Sequence, residues 1–308
     1  MDFNHVPVLY EACIEGLNIK PDGIYVDGTV GGGGHAFGIG SRLNEKGTII
    51  GIDRDDDALE ASKQRLRPLK CRTELVKRTY AEIKDVLGEL NISGIDGALL
   101  DIGVSSFQLD NAKRGFSYMH DAPLDMRMNQ NQELSAKEVV NNYSLEDLTR
   151  IFYEYGEEKY SKSIATGIVK YRENKPIETT LELVSIIQDN VPEKYRREHH
   201  PARKVFQAIR IEVNDELNVF TKALTDSIDL LNVGGRICVI TFHSLEDRIC
   251  KKIFKQYSEV DKVYKGLPFI PDEYKPKIKI INKIKPSKEE LEDNNRSRSS
   301  ILRVIEKL

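Results

Sequence analysis

Ile24-Tyr-Val-Asp-Gly-Thr-Val-Gly-Gly-Gly-Gly-His35 places an apolar strand, an acidic residue and a glycine-rich turn in succession. Ile24 and Val26 bracket a strand that ends near Asp27. Gly31 to Gly34 remove every Cβ where the backbone must turn sharply and let a ligand approach, and a helix is expected to start near His35. Thr48-Ile-Ile-Gly-Ile-Asp53 reads as a second strand. Its terminal Asp53 lies about 20 residues past the glycines, where a carboxylate can accept both hydroxyls of a ribose. The pair of strands is therefore expected to form the adenosine half of a cofactor site.

NAD-dependent dehydrogenases share strand, glycines and acidic residue, so the turn alone does not separate cofactors. The pyrophosphate fingerprint Gly-x-Gly-x-x-Gly is tolerated, with Ala36 three residues beyond Gly33. Asp27 argues the other way. A carboxylate at the end of the first strand repels a pyrophosphate but suits an ammonium and a sulfonium, the charge pattern of S-adenosylmethionine. A ligand-free structural turn is disfavoured, because four glycines cost helix and strand propensity without structural return.

The 308 residues leave room for one large or two ordinary domains. A net charge of -3 excludes a globally basic nucleic-acid binder, so any nucleic-acid contact must be local. Cys13, Cys71, Cys238 and Cys250 lack the spacing of a zinc site or a disulfide framework, and no metal is expected. A reducing, cytoplasmic setting fits them. The start Met1-Asp-Phe-Asn-His-Val-Pro resembles no export signal, and no apolar run approaches membrane-spanning length.

Strand and helix signals alternate along the first third. Asp56 to Leu66 has helical apolar spacing with acids in its first turn and bases in its last. Thr73 to Lys77 reads as a strand, Ala81 to Leu90 as a helix, and Ile95 to Gly103 as a buried strand with Asp101 near its carboxyl end. This order predicts an α/β, Rossmann-like fold with a twisted, parallel-type sheet whose ligands gather at the carboxyl ends of its strands. From Phe107 to Asp215 only helices are expected, started by capping boxes at Ser135-x-x-Glu138, Ser144-x-x-Asp147 and Thr179-x-x-Glu182. The predicted division is residues 1–106 with 216–308 as the cofactor-binding domain and 107–215 as an inserted, all-helical substrate-recognition domain. A long helix from about Ala202 to Leu231, a strand from Gly234 to Phe242, a helix capped by Ser244-x-x-Asp247 and a final strand from Ser300 to Glu306 complete the reading, with a Lys- and Pro-rich loop before the last strand.

Several blocks, in order, resemble one family. Asp27-x-Thr29-x-Gly31-x-Gly33-Gly34-His35, Asp101-Ile-Gly-Val-Ser-Ser-Phe-Gln-Leu-Asp110, Arg114-Gly-Phe-Ser-Tyr118, Pro123-Leu-Asp-Met-Arg-Met128, Tyr155-Gly-Glu-Glu158 and Thr241-Phe-His-Ser-Leu-Glu-Asp-Arg248 are similar to the bacterial ribosomal-RNA small-subunit methyltransferase H family. The resemblance runs from His5-x-Pro-Val-Leu to Arg296-x-Arg298-Ser. Phe107, Asn295 and Ser297 depart from the family's proline, proline and alanine, and are expected to alter loop stiffness without loss of chemistry. The resemblance implies a class I S-adenosylmethionine-dependent enzyme that methylates the exocyclic N4 of a cytidine in the decoding centre, the P-site region, of 16S ribosomal RNA. It implies that Gly33, Gly34 and His35 meet the methionine end of the cofactor and Asp53 the ribose. Tyr80 would lie beside the adenine, with Asp101 and Gln108 completing the pocket.

A cytosine amine is a poor nucleophile, so an enzyme must hold it in line with the methyl group and accept hydrogen bonds from its N–H groups. Either the Asp101 carboxylate or the carbonyls of Ile102 to Val104 are placed to accept, and cofactor binding by Asp101 is an equal alternative. Ser105 and Ser106 are candidates to assist, and His243 at a strand end is either near the base or a loop hydrogen-bonder. The residues around Asp101 include no cysteine for attack at a pyrimidine C5. His199 and His200 beside Arg196, Arg197 and Arg203 suit phosphate better than metal. Phe152, Tyr153, Tyr155 and Tyr160 read as core. Local basic stretches, Lys194 to Lys204 and Lys275 to Lys288, are the expected footprint of RNA in the small subunit, with neither membrane nor DNA as partner. A dehydrogenase and a non-catalytic RNA-binding factor are the competing readings, and oligomeric state is not legible.

Overall fold

A computed structural model of the chain describes residues 7–260, 263–264, 266 and 268–308, apart from the side chains of residues 106 and 107. His5 of the first motif, and the Ser106 and Phe107 side chains, lie outside the described residues. Two compact units emerge: Met1–Gly103 with Leu217–Leu308, and Val104–Glu216.

The first unit begins α1 (Tyr10–Leu17), β1 (Ile24–Asp27), α2 (Gly34–Gly40), β2 (Thr48–Asp53), α3 (Asp56–Leu66), β3 (Arg72–Lys77), α4 (Ile83–Glu89) and β4 (Ile95–Asp101). The chain then passes through the second unit as α5 (Ser106–Asp110), α6 (Ala136–Asn142), α7 (Leu145–Glu154), α8 (Ser161–Arg172), α9 (Thr180–Asp189), α10 (Glu193–Glu198) and α11 (Ala202–Asn214). It continues as α12 (Glu216–Leu230), β5 (Leu231–Thr241), α13 (Ser244–Ser258), β6 (Ile278–Ile284), α14 (Lys288–Asp293) and β7 (Ile301–Lys307).

The seven strands form one sheet in the order β3-β2-β1-β4-β5-β7-β6, parallel except that β7 runs antiparallel to both neighbours. Successive residues of a strand face opposite sides, and the central strands are apolar on both. Ile50, Leu100 and Val239 pack with Ile83, Leu87, Phe220 and Leu224 on one face. Ile49, Leu99 and Ile240 pack with Cys13, Ile14 and Ile39 on the other. Helices therefore cover both faces, as a doubly wound parallel sheet requires. Strand order reverses between β1 and β4, and a ligand crevice opens outside the carboxyl ends at such a point. Asp27 and Asp101 are the terminal residues of the two strands that flank it.

Three departures from the expected elements have physical causes. β6 occupies the supposed loop; as an edge strand it exposes residues 279–283 in a row and carries Lys279 and Lys283, so it lacks alternation. The expected helix over 202–231 is two helices, parted at Asp215, whose φ of 49° is left-handed. Helix α13 is boxed by His243 and Glu246 instead of Ser244 and Asp247, because Glu246 Oε2 accepts from the Phe242 and His243 amides at 2.7 and 3.1 Å. Asp247 pairs with Arg303 at 2.8 Å. Ser297, where the family has alanine, is buried and donates to Glu290 Oε1 at 2.7 Å.

The second unit is helical around Leu148, Ile151, Phe152, Ile164, Ile168, Ile187 and Ile209. Ser135, Ser144 and Thr179 begin α6, α7 and α9 as expected. Tyr153 departs from the core reading and is 69% exposed. Several motif residues here hold backbone. Buried Arg114 donates to the carbonyls of Arg127 and Met128 at 3.0 and 3.2 Å, and Glu158 accepts from Tyr195 Oη at 2.8 Å. Asn214 closes α11 onto the same loop: its Oδ1 accepts from Met128 N, and its Nδ2 donates to Met126 O, each at 2.8 Å. Asn214→Ala strands both of these buried backbone groups, so urea denaturation is expected to show a loss of about 2–4 kcal/mol, the scale for unpaired buried polar groups.

Candidate functional site

The glycine turn is shaped by what packs on it. Gly33 has φ of 75° and a Cβ there would lie 3.2 Å from Ser62 Cα, so α3 approaches the turn only because the position is glycine. Ser62 Oγ donates to Gly31 O at 2.6 Å and fixes that approach. A Cβ on Gly34 would meet Pro7 Cγ at 2.5 Å. Ser62 and Pro7 thus pack directly against the backbone where α2 begins, where a side chain would not fit.

Asp53, at the end of β2, accepts from Gly31 N and from Asp55 N, each at 3.0 Å, which ties the turn to the second strand. Burial raises its carboxyl above the usual range. Tyr80 is buried in the short helical turn after β3, whose first residue is capped by Thr79 and Glu82.

Asp27 is buried at the end of β1, and Thr29 N donates to its Oδ1 at 3.1 Å. Burial pushes its carboxyl up to about 7, with the Asp53 charge adding to the rise. Asp101 ends β4 and its amide donates to Thr29 Oγ1 at 2.8 Å, so one threonine braces both sides of the strand reversal. Its Oδ1 is enclosed without a hydrogen-bond partner. Desolvation, then the charges of Asp27 and Glu246, push Asp101 up to about 8.

His35 is buried, with Nε2 3.0 Å from Val8 O and Nδ1 3.9 Å from Asp101 Oδ2. A carbonyl only accepts, so Nε2 carries the proton. Burial lowers the imidazole to about 4, leaving it neutral near pH 7 with Nδ1 as an acceptor toward Asp101. The ring is no counter-charge for the carboxylates.

His243 follows β5. Its Nε2 lies 2.9 Å from Glu246 Oε1. Glu246 is fully buried. Sequence reasoning passed over Glu246, Thr29 and Ser62; an acid three residues beyond the His243 strand end was the available signal for the first. No comparable signal marks Ser62, a small polar residue in an amphipathic helix.

Ser105 and Gln108 belong to the second unit, where Ser105 N donates to Gln108 Oε1 and Gln108 N donates to Ser105 Oγ, both at 3.2 Å. This is a reciprocal capping box at the start of α5, legible as Ser-x-x-Gln. His200 stacks on Tyr118 at 4.5 Å and His199 meets the edge of Tyr195 at 5.6 Å, so both rings sit against aromatic partners. Among the described residues no helix is long and apolar enough to cross a membrane.

Residues 2–308 match the MraW methylase family. The chain belongs to this family, and it is an S-adenosylmethionine-dependent methyltransferase of ribosomal RNA with a Rossmann-like fold. Similar solved structures include a candidate rRNA-methylase from Clostridium thermocellum, 12% identical, with a TM-score of 0.46 over 99% of this chain and 100% of that one. They also include an rRNA methylase from Streptococcus thermophilus, 12% identical with a TM-score of 0.44 over 97% and 93%. A candidate methyltransferase from Streptococcus mutans in complex with SAH is 11% identical with a TM-score of 0.46 over 99% and 100%. The assignment rests on the family match.

Carboxyls raised in the fold stabilise it in their protonated form. That contribution is complete below an ordinary aspartate pKa of about 4. It is lost as pH rises through about 7 for Asp27 and about 8 for Asp101. Without cofactor, the melting temperature is expected to fall as pH rises from about 5 to about 8 and to level off above that. Asp101→Asn, which cannot ionise, is expected to flatten that fall; an unchanged slope in differential scanning fluorimetry contradicts the assignment.

Proposed function

We propose that this enzyme methylates the exocyclic N4 of a cytidine in the decoding centre of 16S ribosomal RNA, on the largely assembled small subunit. The observation that carries this reading is the unpartnered Oδ1 of Asp101, enclosed beside Asp27 at the carboxyl ends of β4 and β1. An acceptor so placed suits the N–H of an amine brought to the crevice, and the same acids suit a cationic cofactor.

S-Adenosylmethionine, when bound, supplies an electrophilic methyl group on a sulfonium. Asp53 accepts the ribose hydroxyls, and the turn at Gly33, Gly34 and His35 receives the methionine end. Tyr80 borders the adenine. Asp101 accepts from the target amine and aligns its lone pair with the methyl group, with His243 as a second polar group at the neighbouring strand end. Ser105 and Gln108 act by shaping the start of α5, and Ser106 remains a candidate contact. The helical unit recognises RNA, supported by the charge concentrated between Lys194 and Lys204. The four cysteines of the chain, all in the first unit, are buried, which agrees with attack by the base's own amine and not by a thiolate.

Asp53→Ala is expected to weaken binding of S-adenosylmethionine by about 1.5–3 kcal/mol, the scale of hydrogen bonds to a charged group, while RNA affinity changes little. Unchanged cofactor affinity in the folded variant places the ribose elsewhere. For the substrate, methyl-labelled cofactor is incubated with unmodified small subunits, naked RNA and DNA, and the labelled nucleoside is identified after digestion. N4-methylcytidine from the subunits alone is expected. Label at a base carbon, in DNA or in protein overturns the proposal.

A further inference from the structure

Asp27, Asp53, Asp101 and Glu246 gather at the carboxyl ends of β1, β2, β4 and β5. Backbone amides tie two of them down: Gly31 and Asp55 donate to Asp53, and Phe242 and His243 donate to one oxygen of Glu246. Asp27 is held by the amides of Thr29 and Ala36. Asp101 Oδ1 is enclosed without a hydrogen-bond partner, and Glu246 Oε1 lies 2.9 Å from His243 Nε2. The groups that face Asp101 are the Asp27 carboxyl from β1, the neutral His35 ring from α2, the Cys13 thiol from α1 and Glu246 from α13. Those facing Asp27 are Asp53 from β2 and, again, Cys13 and Asp101. The charges acting on Asp101 are thus all negative.

We propose that Asp27 and Asp101 tell the methyl donor from its demethylated product: a proton held by the pair is expelled when a sulfonium enters the site and regained once the sulfonium has been discharged. Two neighbouring carboxylates resist ionising together unless a cation lies between or beside them. A sulfonium is such a cation, whereas the thioether of S-adenosylhomocysteine is neutral. During transfer the S–CH3 bond breaks, the N–CH3 bond forms and sulfur keeps the electron pair. The amine sheds one proton to solvent, and the carboxyl pair takes up one. Donor charge and carboxylate charge leave the site together, so the pair that grips the donor releases the product. The elevated values of both carboxyls agree with a proton resident on the pair near neutral pH.

This inference rests on the cofactor placement proposed above. The test is isothermal titration of the intact protein with S-adenosylmethionine, with sinefungin, which carries an ammonium in place of the sulfonium, and with S-adenosylhomocysteine. Titrations at about pH 6.5, 7.5 and 8.5 in buffers of different ionisation enthalpy report proton release. Affinity for the two cationic ligands is expected to rise by up to about tenfold per pH unit, with close to one proton released per ligand at the acid end. Affinity for S-adenosylhomocysteine should stay level, with no proton released. Asp27→Asn and Asp101→Asn should each remove the pH dependence and bring donor and product affinities together. The wild-type proton count decides the matter even where a variant does not fold. Equal proton release with all three ligands, or none with any, overturns the proposal. If Asp53→Ala weakens all three ligands while they titrate alike, the placement stands and the charge discrimination falls. If Asp53→Ala weakens none, the placement itself falls and takes the discrimination with it.

Discussion

Carboxylates where parallel strands end, Asp27 buried and Asp53 and Asp101 partly so, are the constraint on which this site depends. An ionised carboxyl out of water is costly unless it is paired or well hydrogen-bonded. Here the nearest imidazole, His35, is kept neutral by its own burial, and Asp101 keeps an oxygen without a partner. The first unit therefore carries an electrostatic demand that a proton meets near neutral pH and that a cationic cofactor can meet in its place. Its apolar central strands make that demand sharper, since Ile50, Leu99 and Leu100 exclude water up to the last residue of each strand.

The rest of the unit holds those acids in place. Thr29 connects the exit of β1 to Asp101, Asp53 connects the glycine turn to β2, and Ser62 holds α3 against the same turn. None of these bonds is individually large, at about 1 kcal/mol net for a typical one. Together they fix the relative positions of three strand ends, which positional catalysis requires. In the second unit, Arg114, Glu158 and Asn214 spend their polar atoms on backbone carbonyls, amides or a buried tyrosine.

The turn, Asp27, Asp53 and the alternation of β1 to β4 were legible in sequence because each follows from local chemistry: glycine where φ is positive, an acid at a strand end, apolar periodicity. What stayed illegible depends on neighbours distant in the chain. β6 is an edge strand whose exposed lysines mimic a loop, and it exists because β7 offers it a partner. The break at Asp215 follows from Asn214 bonding to Met126 and Met128, far earlier in sequence. Glu246 is held by the Phe242 and His243 amides at the end of β5, which helical spacing alone does not reveal. Ser105 and Gln108, candidates for the site, also form a capping box, since a short helix start and an active-site motif draw on the same residue types.

The most direct measurement is a crystal structure of the protein with sinefungin, the non-transferable cation. The account predicts the ribose hydroxyls on Asp53, the adenine against Tyr80 and the ligand's added ammonium within hydrogen-bond reach of Asp27 or Asp101. A ligand bound with that ammonium directed away from both carboxylates, or with its ribose distant from Asp53, contradicts it.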